Sequence, residues 1–451
     1  MAARRLLFPS LFRHALSLLA VLPFVGPLAA DAKLGREHDP VVVTWDKLAS
    51  LETSDTARLL LYRAVSGKLE PIPFQLDPRD DEGELVVDGP VDFTLDGNDE
   101  LVFMAKDAGE RAPSLLESIP GCERALEIEL IDPVAGGRAW AYLLAFHDPP
   151  ERPAFTPYVT FDLGRRSARS DLYRVEYADQ RNFFTGLEIA NAANPSAGNL
   201  VRKTHMRGSP TFGLLFTDVT LDFTEENSIV EIDGVRSGPV RAVRRVRLSV
   251  DLGPLFPELP SGTAYTYHYR STYLTPTRVK FPWIMVQTLR DFRFESLFDF
   301  RTEALPLRYH DAWNPEGILL SDASPVDLHI QQDHEWFAHS SDAGAVLHAF
   351  VIPEQWKEWG VVRGTVVRAG TRSVSEDEEE EPDEDAPKAA VADPTYAAGY
   401  TLLNMTRLQK AGAYDLLMAS AVLPEPFSPG DEDGPMAMLR APLGVEVRRV
   451  R

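Results

Sequence analysis

Cysteine is almost absent from this chain of 451 residues, in which Cys122 is the only one. A single cysteine excludes an internal disulfide, a C-x-x-C-H haem site and a zinc site built from cysteines. Beyond residue 32, no stretch reaches the 18 consecutive apolar residues expected of a membrane-spanning helix. The mature chain is therefore expected to be soluble and to have no transmembrane segment.

Positive charge is also scarce, with 46 lysines and arginines against 68 aspartates and glutamates, for a net charge of −22. Such a chain repels nucleic-acid phosphates and anionic lipid surfaces, so nucleic acid is not an expected partner. The sequence also lacks a P-loop, a G-x-G-x-x-G motif and a G-x-S-x-G motif. No cofactor is therefore predicted.

The first 32 residues have the three regions of a cleavable secretory signal peptide. Arg4 and Arg5 supply the positive region, and the mainly apolar run Leu16–Leu28 follows. Cleavage fits best after Ala32, and Ala30 is the alternative. The run is too short to span a bilayer, and no cysteine follows it for lipid attachment. The protein is thus predicted to be exported, to a periplasm or out of the cell.

The rest of the chain is predicted to be all-β. Short apolar runs separated by turn-forming residues between Val41 and Phe146 predict an N-terminal β-sandwich over residues 33–153. Longer alternating runs follow, and they predict a larger antiparallel β domain of the supersandwich type over residues 154–451. Asp233–Gly234 is a typical two-residue hairpin signal within it, and Trp356–Trp359 indicates a short helix.

An acidic segment interrupts the larger domain. Residues 375–385 carry nine carboxylates and no large apolar side chain, so we predict a disordered loop over residues 375–394. Calcium buffering and binding of a basic partner are the functional alternatives. Strand-like sequence resumes at Gly399, which is why the loop is expected to interrupt the domain rather than end it.

A row of tyrosines is the most suggestive candidate for ligand binding. Tyr265, Tyr267, Tyr269 and Tyr273 alternate in the run TAYTYHYRSTYL, and on a single strand they would share one face. A row of phenols can stack on sugar rings. Tyrosines at this spacing also line the inner faces of large sandwiches, and this alternative stays open.

A cationic cluster is the second candidate. His205 lies among Arg202, Lys203 and Arg207 in an otherwise acidic chain. Such cations can neutralise a substrate carboxylate while His205 or Tyr269 moves a proton, so His205, Arg207 and Tyr269 are the catalytic candidates. An exposed loop of solvated charges is the alternative.

Metal binding is not predicted. His329, His334 and His339 stand five residues apart, which on a strand puts successive residues on opposite faces. The acidic turns Asp77–Glu82 and Asp92–Glu100 offer oxygen ligands suited to calcium, but neither fits the EF-hand pattern. Whether calcium binds these turns stays open.

Two stretches carry a resemblance to known proteins. PIPFQLDPRDDEGELVVDG with DGNDELVFMAKDAG (Pro71–Gly89 and Asp96–Gly109) resembles the N-terminal β domain of uncharacterised secreted bacterial proteins. SGPVRAVRRVRLSV (Ser237–Val250) is similar to strands of the supersandwich in galactose-mutarotase-like proteins and polysaccharide lyases. The resemblance implies a carbohydrate-facing protein and transfers no catalytic signature.

Three hypotheses follow for the function. The first is an exported protein that binds a polysaccharide or another cell-envelope component without catalysis. The second is a carbohydrate-active enzyme of the polysaccharide lyase type, in which the cations would neutralise a uronate and His205 or Tyr269 would abstract the neighbouring proton. The third is a structural or assembly factor of the cell surface.

Overall fold

The structure is a computed structural model of the whole chain. It describes residues 34–53, 55–88, 94–178, 184–190, 199–214, 217–225, 228–250, 261–301, 306–320, 328–330, 335–371 and 394–451. The predicted signal peptide and residues 375–393 of the predicted acidic loop lie outside the described residues.

Strands dominate the described chain, and the helices are short. The first seven strands are β1 (Pro40–Thr44), β2 (Leu59–Val65), β3 (Lys68–Pro71), β4 (Gln75–Asp77), β5 (Glu100–Met104), β6 (Cys122–Ile131) and β7 (Arg138–Phe146). The next twelve are β8 (Val159–Asp162), β9 (Ser167–Ser170), β10 (Tyr173–Tyr177), β11 (Phe184–Ile189), β12 (Asn199–Leu214), β13 (Thr217–Thr220), β14 (Phe223–Thr224), β15 (Ser228–Ser237), β16 (Ala242–Val250), β17 (Ser261–His268), β18 (Thr272–Phe281) and β19 (Leu289–Phe300). The last nine are β20 (Leu307–Asp311), β21 (Ile318–Leu320), β22 (Leu328–Ile330), β23 (Trp336–Ser341), β24 (Gly344–Val351), β25 (Val362–Thr371), β26 (Pro394–Leu403), β27 (Gly412–Leu423) and β28 (Gly444–Arg449). The four α-helices are α1 (Trp45–Leu48), α2 (Trp283–Thr288), α3 (Glu354–Trp359) and α4 (Asp433–Arg440).

Two sheets form the N-terminal sandwich. One has the order β1-β5-β4, and the other has the order β28-β6-β7-β2-β3. Alternation on β1 turns Val41 and Val43 inward, where they pack with Phe103 and with Ile128 and Leu143 of the facing sheet. Burial of this apolar surface is the main force that holds the two sheets together.

Two much larger sheets form the rest of the molecule. One has eleven strands, in the order β22-β25-β26-β19-β12-β11-β10-β9-β8, with β13 and β14 paired to β12. The other has nine strands, in the order β15-β16-β17-β18-β27-β24-β23-β20-β21. Phe298 of the first sheet meets Phe337 of the second at 6.4 Å between ring centroids, within a large aromatic core. The predicted all-β fold, with a sandwich followed by a larger antiparallel domain, is confirmed.

The strand β28 belongs to the five-stranded sheet of the N-terminal sandwich. β28 pairs antiparallel with β6 along its whole length, from Gly444 opposite Ile131 to Arg449 opposite Leu126. Residues 444–449 therefore belong to a sheet of the N-terminal sandwich, although the predicted range 154–451 placed them in the larger domain. The boundary predicted at residue 153 stays a prediction.

Some local elements differ from the sequence-based expectation. Asp233–Gly234 lies inside β15, and the turn to β16 comes after Ser237. A Cβ on Gly234 would lie 2.7 Å from an Asp88 oxygen, so glycine is needed there for the close approach of the N-terminal sandwich. The predicted helix at Trp356–Trp359 is confirmed as α3.

Among the described residues, none of the helices is long and apolar enough to cross a membrane.

Candidate functional site

The four candidate tyrosines do not lie on one strand. β17 ends at His268, the chain turns, and β18 begins at Thr272, so the prediction of a single strand through all four is wrong. Tyr273 pairs with His268, whereas Tyr265 and Tyr267 alternate with His268 on β17. Because side chains alternate between the faces of a sheet, Tyr273 points to the opposite face from Tyr265 and Tyr267.

Tyr265 and Tyr267 pack against the N-terminal sandwich. Their rings stack at 5.8 Å and contact Leu85 and Val87, and the Tyr265 hydroxyl donates a hydrogen bond to Glu84. Both side chains are half-buried. Burial raises the pKa of each phenol. These two residues join two parts of the molecule instead of forming an open stacking platform.

Tyr269 and Tyr273 are buried, at 2% and 3% exposure. Tyr269 packs with Val102 and Val240, and its hydroxyl accepts a hydrogen bond of 3.1 Å from Arg241. Tyr273 lies between the large sheets, edge-on to Phe184 at 5.5 Å between centroids. Burial raises the pKa of Tyr269, which keeps the phenol protonated at neutral pH. That state is the opposite of what a general base requires.

The two stretches that carry the resemblance contact each other. Arg241 of the second stretch donates to Asp77 of the first, with Nη2 2.7 Å from Oδ2, and to Glu100, with Nη2 2.6 Å from Oε2. Asp77 also accepts from Gln75 and Arg236, and Glu100 also pairs with Arg79. Each acidic turn therefore contributes a carboxylate to buried ion pairs, Asp77 from the first and Glu100 from the second.

The outer face of the nine-stranded sheet carries a row of polar residues beyond this contact. Direct register pairs run Glu231–Arg247–Thr263–Arg278–Asp415 across β15, β16, β17, β18 and β27. Paired residues point to the same face, so this row crosses five strands, or about 19 Å at the usual strand spacing. Four members of the row, Glu231, Arg247, Thr263 and Arg278, line one side of a groove of 450 Å³.

Small and apolar residues complete this groove. Gly262 and Ala413 place no large side chain in it, Ile229 is 47% exposed at one end, and Lys280 lies next to Arg278 on the same face. A Cβ on Gly262 would lie 2.3 Å from the carbonyl oxygen of Arg278, so this position requires glycine. We call the surface formed by these residues and the polar row the sheet groove.

The sheet groove has an excess of positive charge within a strongly acidic chain. Arg247 is ion-paired to Glu231 at 3.2 Å and to Asp233 at 2.8 Å, and the Arg278–Asp415 pair is longer, at 3.7 Å. Among the described residues, no side-chain hydrogen bond or ion pair involves the exposed ammonium of Lys280. The groove can therefore donate several charge-assisted hydrogen bonds to an anionic ligand.

The cationic cluster around His205 lies on the eleven-stranded sheet, and its charges are largely paired. The imidazole Nδ1 is 3.0 Å from Glu225, and Nε2 is 3.5 Å from Asp299. Lys203 pairs with Glu225 at 2.7 Å, and Arg202 pairs with Asp299 at 3.1 Å. The prediction of a solvated loop of charges is wrong for this segment, because it lies on β12 with two buried carboxylates.

These contacts change the chemistry available to His205. Burial alone would lower its pKa, but hydrogen bonds with Asp299 and Glu225 outweigh burial and raise the pKa above the ordinary value. The raised pKa keeps the imidazolium to a higher pH than in an ordinary histidine, which suits a proton donor better than the base predicted for a lyase. Arg207 is exposed and pairs in register with Glu295 on β19.

Two of the three candidate metal-ligating histidines lie within the described residues, and their strands belong to different sheets. His339 is fully buried on β23, His329 lies on β22, and His334 lies outside the described residues. Across the part of the chain that the structure describes, no group of three or more His, Cys, Asp and Glu side chains is arranged to hold a metal ion.

The sheet groove could not be predicted from the sequence because its residues come from strands that are far apart along the chain. The alternation of Arg245, Arg247 and Ser249 on one side of SGPVRAVRRVRLSV was visible, but their neighbours come from four other strands. Only the pairing of β16 with β15 and β17, and of β18 with β17 and β27, assembles the row.

No protein-family model matches the chain, and no curated protein matches it. Among solved structures, an alpha-mannosidase from Enterococcus faecalis is similar at 11% identity and a TM-score of 0.47, over 92% of this chain and 45% of that one. A glycosyl hydrolase family 38 protein from the same organism is similar at 9% identity and a TM-score of 0.42, over 91% of this chain and 44% of that one. An alpha-N-acetylgalactosaminidase from Bifidobacterium bifidum is similar at 11% identity and a TM-score of 0.34, over 57% of this chain and 36% of that one. The chain thus spans less than half the length of these proteins, and a likeness this distant gives no argument about activity.

Proposed function

We propose that the protein is exported and binds an acidic polysaccharide along the sheet groove without transforming it. The observation that carries the proposal is the row Glu231–Arg247–Thr263–Arg278–Asp415 with Lys280 beside it. Guanidinium groups bind carboxylates through paired hydrogen bonds, and a threonine hydroxyl suits sugar hydroxyls. In this proposal the donors of the sheet groove, Arg278, Lys280 and the Thr263 hydroxyl, contact the ligand in place of the predicted tyrosines.

The dimensions of the sheet groove support a chain-like ligand. A groove about 19 Å long and open along its length fits several consecutive sugar units. Its volume of 450 Å³ lies within the usual range for ligand sites. The local excess of cations matters because the net charge of −22 would otherwise oppose a polyanion, and salt screens that distant charge more than it screens direct contacts.

The proposed binding is tested with the full mature chain by affinity electrophoresis and calorimetry. Polygalacturonate is the acidic probe, and dextran is the neutral one. Replacing Arg278 and Lys280 together by glutamine should weaken polygalacturonate binding by about ten- to a hundredfold, because two charged contacts are lost. Arg293→Gln is the matched control, since Arg293 is also exposed but lies on β19 of the other large sheet. Equal binding of both polysaccharides, or equal loss in the control, would contradict the proposal.

Export is tested separately by mass spectrometry of the protein recovered from the cell envelope. The positive region at Arg4 and Arg5 and the alanines at 30 and 32 favour a mature N-terminus between Asp31 and Lys33. Recovery of the chain with Met1 intact would show that the signal peptide is not removed.

A further inference from the structure

A second recess lies at the other end of β15, between the N-terminal sandwich and the nine-stranded sheet. The sheet groove begins near Ile229, whereas this recess is reached at Arg236 and Ser237, eight residues further along the strand. Its volume is 370 Å³. We call it the junction cleft.

A close contact between β4 and the turn after β15 forms the base of the junction cleft. Gln75 Oε1 accepts hydrogen bonds from the backbone amides of Val240, at 3.4 Å, and Arg241, at 3.1 Å. A Cβ on Gly238 would lie 2.2 Å from the same oxygen, so the turn requires glycine here. The base of the cleft is therefore fixed by contacts that do not depend on a ligand.

The walls of the junction cleft are mainly apolar. Leu60, Phe74, Leu76, Val87 and Phe155 line it from the sandwich and from the segment after residue 150. An apolar recess of this size encloses about one ring system, since sites of 300–1,000 Å³ hold most small ligands.

The charged side chains that line the junction cleft are cationic. Arg152 and Arg236 both line it. Arg152 donates one hydrogen bond from Nη2 to the carbonyl oxygen of Thr56, at 2.6 Å, which anchors its guanidinium at the cleft. The nearby carboxylate of Asp77 is fully buried and is bound by Arg236, Arg241 and Gln75. Its charge is therefore compensated within the protein.

We propose that the junction cleft binds a small organic carboxylate that carries one apolar ring. The ring fills the space between Phe74, Phe155 and Val87, and the carboxylate is held by Arg152 beside the Ser237 hydroxyl. This site is independent of the sheet groove, because the two share no lining residue.

The test uses calorimetry on the full mature chain with phenylacetate and its neutral analogue phenylacetamide. Phenylacetate is expected to bind at least about tenfold more tightly, and Arg152→Gln should remove that difference while the amide binds as before. Arg165→Gln is the control, because Arg165 is exposed at a distant turn. Equal affinity for the two probes in the unaltered protein would overturn the proposal.

A second variant locates the site. Ser237 is exposed at the rim of the cleft, so Ser237→Trp should fill the recess and abolish binding of both probes without loss of the fold. Phenylacetate binding that survives Ser237→Trp with unchanged affinity would place the ligand elsewhere and also overturn the proposal. Polygalacturonate binding should be unaffected by Ser237→Trp, which separates this test from that of the sheet groove.

Discussion

Arg241 and Asp77 form a buried ion pair that joins the nine-stranded sheet to the N-terminal sandwich. Nη2 of Arg241 lies 2.7 Å from Oδ2 of Asp77, and the two side chains are 2% and 0% exposed. The same guanidinium lies 4.8 Å above the ring of Tyr267 and donates to the hydroxyl of Tyr269. A charge so deeply buried is tolerated only because each of its donors meets a partner.

Removing that charge should be costly. Arg241→Leu leaves Asp77 and Glu100 buried with fewer donors, so we expect the free energy of unfolding to fall by about 3 kcal/mol or more. Urea unfolding measures the loss. Arg247→Leu is the matched control, on the strand that begins directly after Arg241, since its exposed ion pairs are worth about 1 kcal/mol or less. Similar losses in the two variants would contradict the role of Arg241 as a clamp.

The buried tyrosines give a second prediction. Tyr269→Ala removes a large side chain from a packed contact with Val102 and Val240 and should cost about 3–5 kcal/mol. Tyr269→Phe keeps the ring and loses only the hydrogen bond from Arg241, so it should cost about 1–3 kcal/mol. Thermal melts of the two variants measure the difference. A Tyr269→Ala protein that melts like the wild type would show that the residue is not packed as the structure has it.

The sequence predicted the fold class well because alternation is a local property. Residues of β1 alternate as expected, with Val41 and Val43 buried and Val42 exposed, and the face that each residue presents follows from that pattern. The turn between β17 and β18 was missed because Tyr269, Arg270 and Ser271 include no glycine, proline or asparagine. Contacts from distant parts of the chain hold that turn, including the ion pair of Arg270 with Asp171 and the hydrogen bond from the Val422 amide to Ser271.

The candidate site was predictable only in part, because contacts between distant parts of the chain form it as well. The sequence identified the stretch that contains Arg247, but the partners on β15, β17 and β18 depend on strand register. Gly234 shows how a local signal can mislead. Its sequence is typical of a hairpin, whereas the structure needs glycine there because Asp88 and Val87 approach so closely.

His205 gives a prediction that can be read directly by NMR. Its pKa is raised, so its stabilising contribution is present below the ordinary value near 6.5 and is lost as the pH rises through the higher folded-state pKa. We expect the imidazole to titrate above 6.5 in the wild type and at lower pH in Glu225→Gln, which loses one of its two carboxylate partners. Asp291→Asn, at an exposed carboxylate, should leave the titration unchanged. An unshifted midpoint in Glu225→Gln would contradict the contact.

Buried histidines in the core between the large sheets predict the response to acid. His339 is fully buried, its ring lies 4.2 Å from that of Phe300, and within the described residues neither of its nitrogens has a hydrogen-bond partner. Burial, with a smaller contribution from His310, lowers the pKa of His339 to about 3. Burial also lowers the pKa of His348, whose ring stacks on His339 at 5.0 Å.

The lowered pKa of His339 determines how the stability of the fold changes with pH. A histidine whose folded-state pKa lies below its unfolded value near 6.5 destabilises the fold as the pH falls, because the unfolded chain takes up the proton first. For His339 the loss runs from about pH 6.5 down to about pH 3, at about 1.4 kcal/mol for each pH unit in that window. Above pH 7 the residue contributes nothing to the pH dependence.

His339→Leu should remove this part of the acid sensitivity. Leucine has a similar volume and needs no hydrogen bond, so at pH 7 the free energy of unfolding should change by less than about 1.5 kcal/mol. At pH 4.5 the variant should be more stable than the wild type, since only the wild type gains the proton of His339 on unfolding. Urea unfolding at both pH values measures the two differences, and His147→Gln at an exposed position is the control. If His339→Leu and the wild type lose the same stability between pH 7 and pH 4.5, the imidazole of His339 is protonated in the folded protein and is not buried in a neutral state.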